Sequence, residues 1–221
     1  MEKELIHVAI DGPVASGKGV VSRRLSQRMG IPFFDTGVMY RAVGVFMRDR
    51  GLDYCDESVV VGALSDMDMR VDVRGDRTWV FVNGEDLTER IRENEASIMA
   101  GKVASYKEVR VFLVGKMQEV ARGQSFILEG RDIGSVVLPN ARFKFFLMAS
   151  IEERVRRRMK DLSDRGESQS FEELRRQIEE RDKRDYIEGG LKQVEDAIVI
   201  DNCGMSVEET VEKIYQMTNE K

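Results

Sequence analysis

The stretch LIHVAIDGPVASGKGV, residues 5–20, leads from a short apolar run into a glycine-rich turn that ends in a lysine. The run is rich in β-branched side chains, as in a strand that is covered on both faces of a parallel sheet. His7 is its only polar residue and the only histidine of the chain, so a structural role is favoured over chemistry. The apolar positions are Leu5, Ile6, Val8, Ala9 and Ile10.

Gly12, Gly17 and Lys18 have the spacing of a phosphate-binding loop, in which four residues separate two glycines and a lysine follows. Glycine lets the backbone wrap a phosphate with its N–H groups pointing inward, and the following helix N-terminus and the lysine add positive charge. A chance glycine turn is the alternative, but strand, loop and amphipathic helix follow in the required order. The predicted phosphate-binding residues are Gly12, Pro13, Val14, Ala15, Ser16, Gly17, Lys18, Gly19 and Val20.

The end of this loop departs from the usual pattern. A Ser or Thr normally follows the lysine, and its hydroxyl reaches the magnesium ion. This chain has Gly19 and then Val20. The run GKGV resembles the nucleoside monophosphate kinases, in which Gly-Lys-Gly is usual and a Thr commonly follows. One hydroxyl contact is therefore missing, and we expect no metal site built from protein ligands, with Mg²⁺ held mainly through ATP phosphates and water.

Length and composition limit the classes of protein. A chain of 221 residues buries one sizeable core and carries insertions without a second domain. Its net charge of -5 argues against a general nucleic-acid surface. Cys55 and Cys203 give neither a disulfide framework nor a zinc site, and no apolar run has the length of a membrane span. We expect a cytoplasmic monomer without nucleic-acid or membrane partners.

Alternation of apolar runs with amphipathic helices predicts an α/β fold, a doubly wound five-stranded parallel sheet that binds ligands at the carboxyl ends of its strands. Residues 69–82 alternate as a two-stranded hairpin that ends at Asn83-Gly84, and a hairpin within this pattern indicates an insertion. Capping boxes begin three later helices, at Ser150, Ser170 and Ser206. The five predicted core strands are residues 5–10, 32–34, 125–128, 142–148 and 197–201.

Three groups of polar residues follow strand ends or lie in charged helices, so we expect them to converge on the loop. Arg131 is informative because a guanidinium grips phosphate oxygens with two parallel hydrogen bonds and stays charged. The third group consists of the basic segments EERVRRRMKDL and RRQIEERDKRD, for which a solvated helix face is the alternative. Their position after the fourth strand favours a lid over a transferred phosphoryl group. The first two groups are Thr36, Tyr40 and Arg41, and Arg131 with Asp132.

Six motifs, spread in order over nearly the whole chain, resemble the bacterial cytidylate kinase family: IDGPVASGKG, DTGVMYR, EGRDIGSVVLP, ASIEERVRRRM, EERDKRD and EDAIVID. The resemblance implies a single P-loop kinase domain over residues 1–221. A monophosphate-binding insertion within it would span residues 36–120 and hold the hairpin, and a helical lid would span residues 154–185. The implied reaction is phosphorylation of CMP and dCMP by ATP, with Mg²⁺ as cofactor.

The resemblance also implies one set of residues for each part of the two nucleotides. The residues implied for catalysis are Lys18, Arg131 and Arg158, and Arg157 would bind ATP together with the loop. The acceptor phosphate would be held by Arg41 and Arg131, with Thr36 and Tyr40 beside it. The cytosine would be read by Arg110 and Asp132, and the sugar by Arg181 and Asp185.

Two positions depart from the family pattern in ways that bear on the acceptor. Gly101 stands where the family often has a Ser near the base, and Glu188 stands where it has an Arg. The proline-leucine that usually follows is replaced by GGLKQ. Either Glu188 points into the acceptor site and repels the nucleotide, so that Glu188→Arg would lower the KM for CMP, or the altered loop turns Glu188 to solvent and Lys192 replaces the arginine.

Two other functions are alternatives. The chain could be a P-loop kinase for another small acceptor, where a hydroxyl acceptor would favour a general base near the transferred phosphoryl group. It could also be a non-catalytic nucleotide-binding regulatory protein. The chain has no asparagine-lysine-x-aspartate guanine signature, and several arginines directed at one site suit phosphoryl transfer better than slow switching.

Overall fold

The computed structural model describes residues 5–164, 166–187 and 190–219. The direction of Glu188 therefore lies outside the described residues, whereas Lys192 is described and is exposed. Its larger sheet is built from β1 (His7–Asp11), β2 (Phe33–Asp35), β6 (Phe126–Gly130), β7 (Phe143–Met148) and β8 (Ile198–Asp201). Within the described residues these five strands lie in the order β2-β6-β1-β7-β8. β1 and β7 pair in parallel, as do β7 and β8. The predicted α/β fold with a five-stranded parallel sheet is confirmed.

Helices follow the strands where the apolar periodicity predicts them. The first runs from Lys18 to Met29 and ends at Gly30, whose φ of 65° is the left-handed conformation that glycine adopts at low cost. The helical stretch from residue 94 to residue 121 is broken between Val103 and Lys107. Among the described residues, none of the helices combines the length and the hydropathy of a membrane span. The helices are α1 (Lys18–Met29), α2 (Gly37–Asp49), α3 (Glu57–Leu64), α4 (Asn94–Val103), α5 (Lys107–Ala121), α6 (Ile151–Ser163), α7 (Phe171–Ile187) and α8 (Val207–Asn219).

The chain divides into two compact units. Residues 6–30 and those from 127 onward form one, here called the loop unit because it contains the phosphate-binding loop. Residues 31–126, together with Leu5, form the other, here called the insert unit. The domain boundaries expected from the resemblance, residues 36–120 for the insertion and 154–185 for the lid, stay predictions.

The insert unit carries one strand more than the predicted hairpin. Its small antiparallel sheet has the order β3 (Met69–Arg74), β4 (Arg77–Val82) and β5 (Glu85–Asp86) among the described residues. The hairpin ends at Asn83-Gly84 as predicted, because β4 ends at Val82, but this pair, with φ of 52° and 81°, makes a tight turn into the additional strand β5. β5 was not predicted because it consists of two polar residues, which show no alternation of apolar and polar side chains.

The buried face of this small sheet is set by its register. Met69 lies opposite Val82, and Val73 lies opposite Thr78, and all four are buried. The aromatic residues of β4 therefore point to the other face, since side chains alternate along a strand. There the guanidinium of Arg70 lies 4.7 Å from the ring centre of Phe81, and that of Arg77 lies 5.0 Å from the ring centre of Trp79.

The loop unit has two apolar clusters that hold the phosphate-binding loop. Three consecutive residues of β1, Val8, Ala9 and Ile10, are fully buried, as expected for a central strand covered on both faces. A second cluster joins α6 to α7, and Val14 and Ala15 of the loop pack against it. The helices of the predicted lid are thus in apolar contact with the loop. This second cluster consists of Val155, Leu162, Leu174 and Ile178.

Candidate active site

The loop between β1 and α1 has the backbone that its glycines allow. Gly12 has a φ of 148°, and a Cβ added to it would lie 2.1 Å from the carbonyl oxygen of Leu147, so only glycine fits. Gly17 has a φ of 91° and directly precedes α1. Ala15 has a φ of 58° although it is not glycine. The loop therefore closes tightly against β7, and one of its residues is conformationally strained.

Lys18 is held inside the loop. Its side chain is buried, and Nζ donates a hydrogen bond of 2.8 Å to the carbonyl oxygen of Pro13. Burial and the nearby guanidinium of Arg131 lower the pKa of Lys18 from 10.5 to about 7, against the opposing effect of nearby carboxylates. A bound phosphate would favour the charged ammonium. Lys18 is thus placed to exchange a backbone carbonyl for a phosphate oxygen.

Three arginines donate to alternate carbonyl oxygens of the loop. They come from different parts of the loop unit, one after β6 and two from α6. Each donates through Nη1, and each is at least partly buried. Alternate carbonyls are therefore held on the side of the loop that faces these arginines. The pairs are Arg131 with Gly12 at 2.8 Å, Arg154 with Val14 at 3.1 Å, and Arg157 with Ser16 at 3.0 Å.

Two carboxylates of α7 fix two of these arginines. Asp182 accepts a hydrogen bond of 2.6 Å from Nη1 of Arg154, and Asp185 accepts one of 2.7 Å from Nε of Arg131. Both carboxylates lie on one face of α7 because they are three residues apart. The predicted site residues Arg131 and Asp185 are therefore in direct contact, next to Gly12 of the loop.

Asp11 anchors the turn that follows Arg131 and Asp132. Its two carboxylate oxygens accept hydrogen bonds of 2.8 Å each from the backbone N–H groups of Ile133 and Gly134. Burial raises the pKa of Asp11 to about 6, although these two hydrogen bonds act to lower it. Asp132, predicted to read the cytosine, is itself buried at the start of this turn.

The remaining predicted residues of the loop unit differ in exposure. Arg157 is partly buried, and besides Ser16 it contacts Glu153 and Asn202. Arg158 and Arg181 reach solvent. Desolvation of the inner part of Arg181 and the positive charge of Arg131 lower the pKa of Arg181 from its ordinary value.

The insert unit holds the other predicted acceptor residues. Thr36 is buried at the start of α2. Arg41, one turn into that helix, donates through Nη2 to Asp35 at 2.7 Å, and the other oxygen of Asp35 accepts from the N–H of Gly37. Tyr40 lies between them on α2, and Arg110 lies on α5, both partly buried. The structure thus gathers the α2 group, while its convergence with the loop stays a prediction.

The loop unit offers few ligands to a metal ion. The described part of the chain contains no group of three or more His, Cys, Asp or Glu side chains that could hold one. Both oxygens of Asp11 are used by backbone N–H groups. Glu129 is placed differently, because a Cβ added to Gly19 would lie 3.7 Å from both of its carboxylate oxygens. This set suits an ion that keeps most of its water ligands, as Mg²⁺ does.

Sequence reasoning missed four residues that shape the site: Asp11, Glu129, Arg154 and Asn202. Asp11 is the last residue of β1 and Glu129 is the last but one of β6, and the rule that ligands bind at the carboxyl ends of parallel strands would have found both. Arg154 and Asn202 bind backbone carbonyls, which no sequence motif reports.

Comparisons with known proteins agree with this geometry. A family model described as cytidylate kinase matches residues 8–220. The cytidylate kinase of Caldicellulosiruptor bescii is 40% identical over 96% of this chain and 95% of its own length. That of Thermotoga petrophila is 41% identical over 97% of each chain. An uncharacterized protein from Eubacterium ventriosum shares the fold, with a TM-score of 0.56 and 12% identity over 98% of this chain and 99% of its own. The chain therefore belongs to the cytidylate kinase family.

Proposed function

We propose that this chain transfers the terminal phosphoryl group of ATP to CMP and dCMP, giving ADP and CDP or dCDP. One observation carries the proposal beyond family membership. Arg131 contacts both the phosphate-binding loop at Gly12 and the carboxylate of Asp185 on α7. One guanidinium thus joins the loop that would hold the donor to a residue implied for the acceptor sugar, as transfer between two bound nucleotides requires.

The donor would lie on the loop of residues 12–20. The N–H groups of this loop, the N-terminus of α1 and the ammonium of Lys18 would face the ATP phosphates. Lys18 lies in a buried, water-poor position, where a positive charge stabilises developing negative charge more strongly than in water. Arg158 reaches solvent on α6, and we expect it to approach the transferred group when the predicted lid closes.

The acceptor needs no general base. A phosphate monoester is mostly a dianion near neutral pH, because its second pKa is about 6, and it is therefore already a nucleophile. The protein has to align two anions and neutralise their repulsion. We assign Arg41 and Arg131 to the acceptor phosphate with Thr36 and Tyr40 beside it, Arg110 and Asp132 to the cytosine, and Arg181 and Asp185 to the sugar.

A magnesium ion fits the residues present, with Glu129 as the nearest carboxylate to the position of the missing loop hydroxyl. When bound with ATP, the ion would supply positive charge that offsets the negative charge of the phosphates. Gly19 offers no hydroxyl to it, so water would fill that position. Mg²⁺ would thus be held mainly through ATP and water.

We also propose a monomer that acts in the cytoplasm on these nucleotides. Cys55 and Cys203 are both exposed and unpaired, which suits a reducing compartment. Light scattering of the purified chain at several concentrations tests the oligomeric state, and a mass that rises to twice the chain mass would contradict the proposal.

A panel of acceptors tests the activity. The chain is mixed with ATP, Mg²⁺ and one of CMP, dCMP, UMP, AMP or GMP, and ADP formation is followed. We expect CMP and dCMP to give the highest kcat/KM, and a Lys18→Ala preparation controls for contaminating kinases. Equal or faster reaction with another monophosphate would indicate a different acceptor. ATP binding without transfer to any acceptor would favour the regulatory alternative.

A further inference from the structure

Asn202 is a buried side chain at the end of β8 that contacts the phosphate-binding loop. It is 3% exposed. Its Nδ2 donates a hydrogen bond of 2.9 Å to the carbonyl oxygen of Ser16, 186 residues earlier in the chain. Its Oδ1 accepts one of 3.1 Å from Nη1 of Arg157. Both ends of this amide are therefore used, one on the loop and one on α6.

Arg157 reinforces the same contact. Its Nη1 also donates to the carbonyl oxygen of Ser16 at 3.0 Å, and its Nη2 donates to the backbone carbonyl of Asn202 at 2.9 Å. Its Nε is held by Glu153, one turn earlier on α6. The guanidinium that the resemblance assigns to ATP is thus largely occupied by protein acceptors behind the loop.

Arg154 repeats this arrangement two residues earlier in the loop. Its Nη1 donates to the carbonyl oxygen of Val14 at 3.1 Å, and its Nε donates to the carbonyl oxygen of Ala149 at 3.2 Å. Its charge is balanced by Asp182. Arg154 is 7% exposed, so its position is fixed by burial as well as by these bonds.

Peptide geometry links these carbonyls to the phosphate side of the loop. In a trans peptide the C=O of one residue and the N–H of the next point in opposite directions. There are no cis peptides in the described part of the chain. Holding the carbonyls of Val14 and Ser16 toward the arginines therefore turns the N–H groups of Ala15 and Gly17 the other way. A phosphate cradle needs such N–H groups directed at the anion.

We propose that Asn202, Arg154 and Arg157 form a carbonyl clamp, which shapes the phosphate-binding loop from behind and makes these three side chains positioning residues for the ATP phosphates. The inference rests on the proposed ATP site. It assigns Arg157 to the loop backbone instead of to the nucleotide itself.

The substitution Asn202→Asp tests the clamp, because the aspartate side chain has nearly the same shape as asparagine. The new carboxylate places an oxygen against the Ser16 carbonyl, which removes the hydrogen bond and adds repulsion. We expect the KM for ATP to rise about tenfold or more, since 1.4 kcal/mol corresponds to one decade, while the KM for CMP changes less than about twofold. Asn140→Asp, at an exposed loop position, is the matched control and should leave both KM values unchanged. An unchanged KM for ATP in Asn202→Asp would overturn the clamp.

A double-mutant cycle separates positioning from direct contact. Arg157→Ala and Asn202→Asp are measured singly and together, with ATP and with inorganic tripolyphosphate, which has no base or sugar. If both residues act through the Ser16 carbonyl, the combined loss of affinity is clearly smaller than the product of the single losses. Independent losses, or a loss for ATP without one for tripolyphosphate in Arg157→Ala, would mean that Arg157 contacts the nucleotide and would reject the clamp.

Thermal unfolding distinguishes the clamp from the proposed function and from a folding defect. Saturating ATP should raise the Tm of the natural chain by linkage, and the clamp predicts a smaller rise in Asn202→Asp at the same ATP concentration. A natural chain that shows no ATP-dependent rise would contradict the proposed ATP site. An equal rise in the natural chain and Asn202→Asp would contradict the clamp alone. Arg157→Ala, at a partly exposed position, supplies the same comparison if Asn202→Asp does not fold.

Discussion

The loop unit and the insert unit hold their functional side chains in different ways. In the loop unit, Lys18, Asp11 and Arg154 are buried and bound to backbone groups of the loop or of the turn after β6. In the insert unit, Arg41 is bound to Asp35, and their side chains are 25% and 31% exposed. The first arrangement is rigid and costly to disturb, while the second leaves the charges close to water.

This difference matches the two tasks in the proposed reaction. The donor phosphates need a fixed array of N–H groups and positive charge, because such an array stabilises a transition state without reorganising. The acceptor has to enter and leave with each turnover, and partly exposed charges exchange partners at lower cost. The comparison therefore predicts that equivalent substitutions have large effects in the loop unit and small effects in the insert unit.

Replacing one arginine by methionine in each unit should give the largest difference in the free energy of unfolding. Arg154→Met leaves the carboxylate of Asp182 buried without its partner, and we expect it to lower the free energy of unfolding by about 3–5 kcal/mol. Arg41→Met removes a partly exposed partner of Asp35 and should cost no more than about 1 kcal/mol. Urea unfolding of both variants measures the difference. Similar losses would show that burial does not separate the two units.

Lys18→Met should give the largest loss of activity. In the proposed reaction the ammonium stabilises charge that moves during transfer, and removal of one such group typically lowers kcat by about 10²–10³. The KM values for both nucleotides should change less than kcat, since the interaction is strongest in the transition state. Steady-state kinetics at saturating ATP and CMP measure this. A kcat within a few-fold of the natural chain would exclude Lys18 from the mechanism.

Lys18 should also make the free energy of unfolding depend on pH. The pKa of Lys18 is about 7 in the folded chain, below its ordinary 10.5, so between these values the unfolded chain binds more protons. The contribution of Lys18 to the free energy of unfolding should therefore rise from pH 7 to pH 9, by up to about 1.4 kcal/mol per pH unit. The difference in unfolding free energy between the natural chain and Lys18→Met isolates this contribution, and a difference that is flat over this range would contradict it.

The sequence predicted the parts of this site that depend on local pattern. The spacing of the glycines and the lysine in the loop predicted that a helix starts near Lys18. The short apolar runs between amphipathic helices predicted the five core strands. Arg154 and Asn202 were not predicted because their partners are backbone groups 140 and 186 residues away along the chain. A backbone N–H or C=O is the same at every residue, so it leaves no signature in the sequence. Only the folded path of the chain brings these groups together.

The choice between CMP and UMP tests Asp132, a buried residue of the loop unit. This carboxylate is 6% exposed and follows Arg131, whose guanidinium is fixed by Gly12 and Asp185. A carboxylate accepts from the exocyclic amine of cytosine but meets a carbonyl on uracil. Asp132→Asn should therefore lower the ratio of kcat/KM for CMP to that for UMP by about tenfold, which is 1.4 kcal/mol. A constant ratio would mean that the base is read by other residues.

The smallest effect is expected at Ala15, where the rigid loop carries a strained residue. Its φ of 58° lies in the left-handed region, which costs a residue with a Cβ about 1–2 kcal/mol. Ala15→Gly removes this strain but adds about 0.5–1 kcal/mol of chain entropy and loses part of a methyl contact with the cluster between α6 and α7. The net gain should be about 0.5 kcal/mol, a rise in Tm of about 1–2 °C. Ala141→Gly, in a loop where φ is not positive, should lower the Tm instead. If both variants lose stability equally, the left-handed residue carries no strain, and the loop is as relaxed as the insert unit.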